Sequence, residues 1–177
     1  RSTRVRSSAA SDVYKRQDVN YCPLRYADVV LMAAEAYNET GTDRQKAWDL
    51  LNSVRTRAEA TSITEANYDE MMSARKKTHN LTFIDDSTPE GKFRTALYWE
   101  RGFELAFEGQ RKYDLIRWGV LGKALKLFGE ISSVNQQENK PYPAYRNFTE
   151  GKHELFPIPL KEIQSNPKLN GMNNNGY

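Results

Sequence analysis

The chain holds one cysteine, Cys22, and two histidines, His79 and His153, in 177 residues. A lone thiol closes no internal disulfide, and two imidazoles far apart in sequence, with no thiol or carboxylate motif around them, do not make a metal site. Cys22 is expected to be a buried structural thiol. The preceding Gln17-Asp18-Val19-Asn20-Tyr21 is not the apolar run that an export signal with a lipid-bearing cysteine needs. No stretch approaches the roughly 20 apolar residues of a membrane span. A large excess of charge of one sign is lacking as well: 26 basic against 23 acidic side chains leave a net +3, which argues against an extended nucleic-acid face. Part of that excess is local, in Arg1, Arg4, Arg6, Lys15 and Arg16 against Asp12 alone. No Ser/His/Asp order, phosphate-cradling glycine loop or nucleotide fingerprint appears.

What is present is helical pattern. Residues 1–17 are polar and without hydrophobic period, and we set them apart from the fold as a non-native or disordered tail. Ser-Ala-Ala-Ser-Asp-Val-Tyr-Lys-Arg-Gln within it resembles translated adaptor sequence, and a natural disordered arm is the alternative. A first helix is predicted from about Pro23 to Thr40, with Pro near its start and Gly41 at its end. A second begins after Thr42 or Asp43 and carries Ala47, Leu51, Val54 and Ala58 at helical spacing, with Arg55 and Arg57 in its last turn. Ala34, Tyr37, Ala47, Leu51 and Val54 approximate a degenerate tetratricopeptide repeat, a unit of roughly 34 residues in two antiparallel helices. One such unit cannot bury both faces of its own helices. Tyr68 to Lys77 reads as a short surface helix. Thr88 as N-cap, with Pro89 at the first helical position, is predicted to launch a long helix through Trp118 that Gly119 stops. Val120 to Phe128 adds a short helix, and 129–152 reads as a loop carrying Tyr142, Tyr145 and Phe148. The end is extended through Pro157 and Pro159, makes one helical turn over Leu160 to Ser165, and finishes as a surface tail.

Within the predicted long helix, Glu100, Glu104, Glu108, Arg111 and Asp114 share one broad face with Leu97, Phe107 and Leu115. An ordinary amphipathic helix keeps charge and apolar surface apart, so this pattern implies a helix surrounded by protein with its ions paired. Gly102 and Gly109 fall two turns apart, which implies close approach of a neighbouring backbone. The expected structural ion network comprises Glu100, Arg101, Glu104, Glu108, Arg111, Asp114 and Arg117, with Arg25 and Arg55 as partners from the first hairpin. The rival reading takes two of these carboxylates as the acid and base of a glycoside hydrolase, but the interleaved arginines favour pairing. Trp48, Trp99 and Trp118, on helices, are expected to pack. Tyr142 and Tyr145, on a loop, are the candidates for ligand contact, and pinning the loop between prolines is their alternative role.

Three stretches together resemble the SusD/RagB family. Glu100-Arg101, Glu104-Leu105, Phe107-Glu108-Gly109, Arg111, Asp114-Leu115 and Arg117-Trp118 are similar to its E-R-x-x-E-L-x-F-E-G-x-R-x-x-D-L-x-R-W pattern. Arg25 to Ala36 is similar to its R-x-A-E-v-y-L-m-A-A-E-A helix, with Asp28 at the position of the more usual Glu. Pro157 to Pro167 is similar to its closing P-I-P-x-x-E-I-x-x-N-P. The resemblance covers about Tyr21 to Tyr177. It implies an all-α, tetratricopeptide-like scaffold with irregular loops, and residues 18–177 as the C-terminal part of a protein whose N-terminal half is missing here. It further implies a non-enzymatic, surface-exposed lipoprotein of the outer membrane in Bacteroidetes-type bacteria, which captures oligosaccharides or peptides without a cofactor. Its partner would be a SusC/RagA-like TonB-dependent transporter. The hairpin alone leaves a generic tetratricopeptide-like protein-interaction module open, and a glycoside hydrolase fragment as a weaker alternative.

Overall fold

A computed structural model describes residues 23–135 and 143–177, and the side chains of all of these except 130–135 and 143–144. Every regular element among the described residues is helical. Cys22 and Tyr142, and with them the expectations of a buried thiol and of a ligand contact at Tyr142, lie outside the described residues, as does the tail 1–17.

Helix α1, Tyr26–Thr40, begins after Arg25, whose extended backbone (φ −132°, ψ 162°) rules out an earlier start at Pro23. It ends where Gly41 turns left-handed (φ 64°) and its N–H returns to the Asn38 carbonyl. Helix α2, Arg44–Arg57, is capped by the Asp43 carboxylate, which accepts from the Lys46 backbone N–H at 2.8 Å. So short a link lays the two helices side by side as a hairpin. Leu31 and Ala34 of α1 and Ala47, Trp48, Leu51 and Val54 of α2 form one wall of the main core.

Helix α3, Tyr68–Thr78, is more than the surface helix expected, because Tyr68 and Met72 are wholly buried in that core. One inward residue per turn is too sparse a stripe to stand out in the sequence. Helix α4, Pro89–Glu104, starts as predicted: the Thr88 hydroxyl accepts from the Gly91 N–H at 3.1 Å and proline occupies the first turn. Gly91 is required by packing, since a Cβ there would sit 1.6 Å from the Asp85 carbonyl oxygen. Phe93, Ala96 and Leu97 of α4 close the main core, with Phe93 edge-on to Trp48 at 4.9 Å.

The predicted continuous helix to Trp118 is two helices. Helix α4 stops at Glu104, the backbone turns through left-handed Phe107 (φ 66°) and Gly109 (φ 80°), and α5, Arg111–Arg117, begins a new direction. A pair thirteen positions apart would be roughly 20 Å apart along a straight helix, yet the Arg101 Nε donates to the Asp114 carboxylate at 2.8 Å. The contacts made by folding back therefore decide against the local helical pattern. Gly102 and Gly109 accordingly do not line one face. Gly102 lies beside the Arg111 guanidinium, whose Cζ an added Cβ would meet at an ordinary contact distance of 3.5 Å, and Gly109 serves the turn.

Helix α6, Leu121–Asn135, outruns the short helix expected, and α7, Pro143–Asn147, occupies part of the stretch read as loop. Two glycines of α6 seat the aromatic rings that follow: a Cβ at Gly122 would meet Phe148 at 2.7 Å and one at Gly129 would meet Tyr145 at 2.6 Å. A second core gathers Leu81, Tyr98, Leu115, Val120, Leu121 and Ala124. Helix α8, Leu160–Ser165, and a single 3-10 turn, Pro167–Leu169, complete the regular structure. The extended Pro157-Ile158-Pro159 has few backbone donors, and the asparagine-rich tail compensates through side chains. Asn173 accepts from the Ile158 N–H at 2.7 Å, Asn174 Nδ2 donates to the Phe156 carbonyl at 2.6 Å, and the Tyr177 hydroxyl donates to Leu155 at 3.2 Å.

Candidate functional site: an arginine–carboxylate layer and the groove beside it

The charged residues of α4 and α5 meet those of the first hairpin in a continuous layer. At its centre Arg101 is buried, with Nε on Asp114 at 2.8 Å and a terminal nitrogen 2.8 Å from Asp28 of α1. Arg55 of α2, also buried, donates to Glu100 and places its Nε on the Thr61 carbonyl at 2.8 Å. At one end Arg25 holds both Glu104 (2.6 Å) and Glu108 (2.8 Å), and another of its nitrogens donates to the Glu104 backbone carbonyl. That last bond satisfies an acceptor freed where α4 stops, as a cation at a helix C-terminus should. Arg57 also donates to Glu104. At the other end Arg117 grips Glu35 with two nitrogens at 2.5 and 2.6 Å and reaches Asp114 at 3.2 Å. The Trp118 indole N–H donates to Glu35 at 2.7 Å. The bond to Glu35 raises the pKa of Arg117, and the bond to Glu108 raises that of Arg25, so both are firmly cationic.

The layer is not uniform. Glu104 keeps only 9% of its side-chain surface and Glu108 34%. Arg111 makes no ion pair among the described residues, and Glu108, three positions before it, is held by Arg25. Its guanidinium lies 3.9 Å from the centre of the Tyr98 ring and donates to the Tyr98 carbonyl at 2.9 Å. Of the apolar residues read on the charged face, Leu97 joins the main core and Leu115 the second, whereas Phe107 is fully exposed. Glu100, Glu104, Glu108 and Asp114 all accept from guanidinium groups. The arrangement thus has the chemistry of a clamp, and among the described residues each of these four carboxylates is held by a cation.

Against the Arg117 end lies a groove of about 680 Å³, lined by Glu35, Glu39, Phe83, Arg94, Tyr98 and Trp118 among others. Its rims are paired ions, Arg117 with Glu35 and Arg94 with Glu39 at 2.5 and 2.7 Å, over an aromatic floor. The Arg94 hydrogen bond holds the Glu39 carboxyl below its usual range, against the opposing pull of burial. Neither Tyr145 nor the helix-packed Trp48 reaches this groove. Tyr145 instead lies on α6 at Gly129. Glu35, Glu39 and Arg94 escape sequence reading because each is an ordinary charge on a helix, and only the crossing of α1 and α4 brings them together. No group of His, Cys, Asp and Glu among the described residues could hold a metal ion. No described helix is long and apolar enough to cross a membrane.

The sequence profile of the SusD family matches residues 3–177, beginning within the tail set apart above. SusD-like protein P25 of Formosa agariphila is 37% identical over 160 residues, which cover 89% of this chain and 25% of that protein. SusD-like protein P2 of the same organism is 33% identical over 163 residues, covering 92% of this chain and 27% of that protein. The chain therefore spans about a quarter of the length of these curated relatives. No solved structure matches it significantly. Two of the three stretches that resemble the family, Arg25 to Ala36 and Glu100 to Trp118, supply most of the ionic layer, and the profile runs over nearly the whole chain: the protein belongs to the SusD family.

Proposed function

We propose that this chain is the C-terminal part of a surface-exposed lipoprotein that binds oligosaccharide or peptide nutrients at the bacterial outer membrane. The longer protein passes them to a SusC/RagA-like TonB-dependent transporter. The observation that carries this reading is the family match from residue 3 to residue 177. The structure supports it in two ways. The carboxylates that a hydrolase would use are engaged by Arg25, Arg55, Arg57, Arg101 and Arg117, which fits a binding protein rather than an enzyme. The helical hairpin and its ionic layer form a scaffold that carries irregular segments, in keeping with ligand contacts made largely by the rest of the polypeptide.

The test uses the full-length protein recovered from its genomic locus. Binding to a panel of oligosaccharides and peptides, followed by calorimetry on the positives, should return at least one ligand with no accompanying cleavage. Co-purification with the product of a neighbouring transporter gene should follow from the outer membrane. Binding of helical protein segments alone, with no glycan or nutrient peptide and no transporter, would support the interaction-module reading instead. Release of reducing sugar would make it a hydrolase.

A further inference from the structure

Phe107 is the most exposed large apolar side chain of the described residues, at 108% of its reference surface, and its backbone is left-handed at φ 66°. Both features are unfavourable. A bulky residue clashes with its own carbonyl in that conformation, and a ring in water gains nothing from burial. The turn is nevertheless held firmly on both sides. Arg25 binds Glu108 at 2.8 Å and Glu104 at 2.6 Å, so one guanidinium clamps the residues flanking the ring. Gly109 supplies the second left-handed position at φ 80°, and Gln110 donates from Nε2 to the Pro23 carbonyl at 2.8 Å. A strained, clamped and projecting aromatic side chain is pre-organised for a pocket that lies elsewhere. Buried aromatic anchors of this kind carry much of the energy of protein contacts.

We infer that Phe107 is an interface anchor that seats in an apolar pocket of the polypeptide preceding Pro23 in the family-length protein. This rests on the reading of the chain as a C-terminal part. The position of the ring selects that occupant. Pro23, the first described residue, is tied through Gln110 to the turn that carries Phe107. Tyr26, directly after Arg25 in the chain, is itself 82% exposed. About three quarters of the length of the curated relatives lies outside this chain, ample to supply a pocket at the point of entry.

Two proteins are compared, the 177-residue chain and the full-length protein recovered from its genomic locus. Phe107→Asn places a residue that tolerates left-handed backbone at the turn. In the short chain its melting temperature should stay level or rise, because strain is relieved and no contact is lost. In the full-length protein it should fall by about 1–2 °C or more. Phe107→Cys, in a background without other cysteines, gives a second measurement that needs no stability change. A maleimide should label it rapidly in the short chain and at least tenfold more slowly in the full-length protein. Equal labelling in both overturns the inference, as does a melting shift of the same sign in both. Protection appearing only on adding the transporter, or only through self-association of the short chain, assigns the ring to those partners and overturns it too. A reading frame that does not extend upstream removes the proposed pocket, and that failure is distinguishable because it is read from the locus before any variant is made.

Discussion

Among single residues, depth decides which charges matter. Arg101 is buried and bridges two buried carboxylates, Asp28 and Asp114. Removing one member of such a set strands charge in a poor solvent, so Arg101→Ala should cost about 3–5 kcal/mol in urea denaturation. Arg94→Ala breaks a pair that is largely exposed on both sides, and about 0–1 kcal/mol is expected. Similar losses from the two variants would show that the layer is not an interior clamp. Arg111 follows a different rule because its partner is a ring and a carbonyl. Arg111→Lys keeps the charge but loses the planar stack, so a measurable loss of stability is expected from a substitution that a simple ion pair would tolerate. Titration gives a further check. Burial opposes charge on Asp86, yet hydrogen bonds from Lys76 and Tyr68 leave its pKa lowered, and Arg94 lowers that of Glu39. Depressed carboxylates contribute stability above the unfolded pKa, about 4, and lose it as pH falls through the folded one. Tyr68 is shifted the opposite way, upward, by burial and by its bond to Asp86. Its contribution is complete below the ordinary tyrosine value of about 10 and is lost as pH rises beyond it. The urea midpoint should therefore decline below about pH 4 and again above about pH 10; a flat profile at either end would contradict the corresponding assignment.

At the scale of the element, glycines and caps separate propensity from packing. Gly91 lies in the first turn of α4, where alanine is the better helix former by about 1 kcal/mol. The Asp85 carbonyl occupies the place of its Cβ, so Gly91→Ala should nonetheless destabilise, by about 1–3 kcal/mol as for other overpacked sites. A stabilised Gly91→Ala variant in thermal unfolding would show that the 85–91 turn is not held where described. Thr88→Ala removes the side chain that caps the same helix and should cost about 1 kcal/mol. The starts of α2 and α4 were legible in the sequence because a cap is a local event, with an oxygen a few residues before the N–H it serves. The end of α4 was not. The pattern from Leu97 to Trp118 remains compatible with helix throughout, and the break at Glu104 is stabilised by Arg25, a residue 79 positions away.

For the whole molecule, the uncovered surface is as informative as the core. The outer face of α1 exposes Tyr26, Val29, Met32 and Tyr37, while its inner face fills the main core. A repeat scaffold buries such faces against neighbouring units, and patches of this kind drive association when left open. The isolated 177-residue chain should bind an apolar dye and associate as its concentration rises. Val29→Lys together with Met32→Lys should reduce both while changing stability by no more than about 1 kcal/mol, as for surface sites. A dye-silent, monodisperse wild-type chain would argue that the scaffold is complete by itself.

The sequence by itself determined what depends on near neighbours: helices over most of the chain, the α1–α2 hairpin, the cap at Thr88, the extended Pro157-Ile158-Pro159 and the motifs that mark the family. Charge count and the interleaving of Glu with Arg also pointed to paired ions, and Arg25 and Arg55 were recognisable candidates as the cations of the first hairpin. Only the tertiary structure decided the partners. Arg101 closes on Asp114 because the chain folds back at Phe107, and Arg111 lies on the Tyr98 ring while Arg25 holds Glu108. The groove of Glu35, Glu39 and Arg94 exists because two helices cross. Pairing energy depends on distance through space, and helical periodicity specifies that distance only until the helix ends.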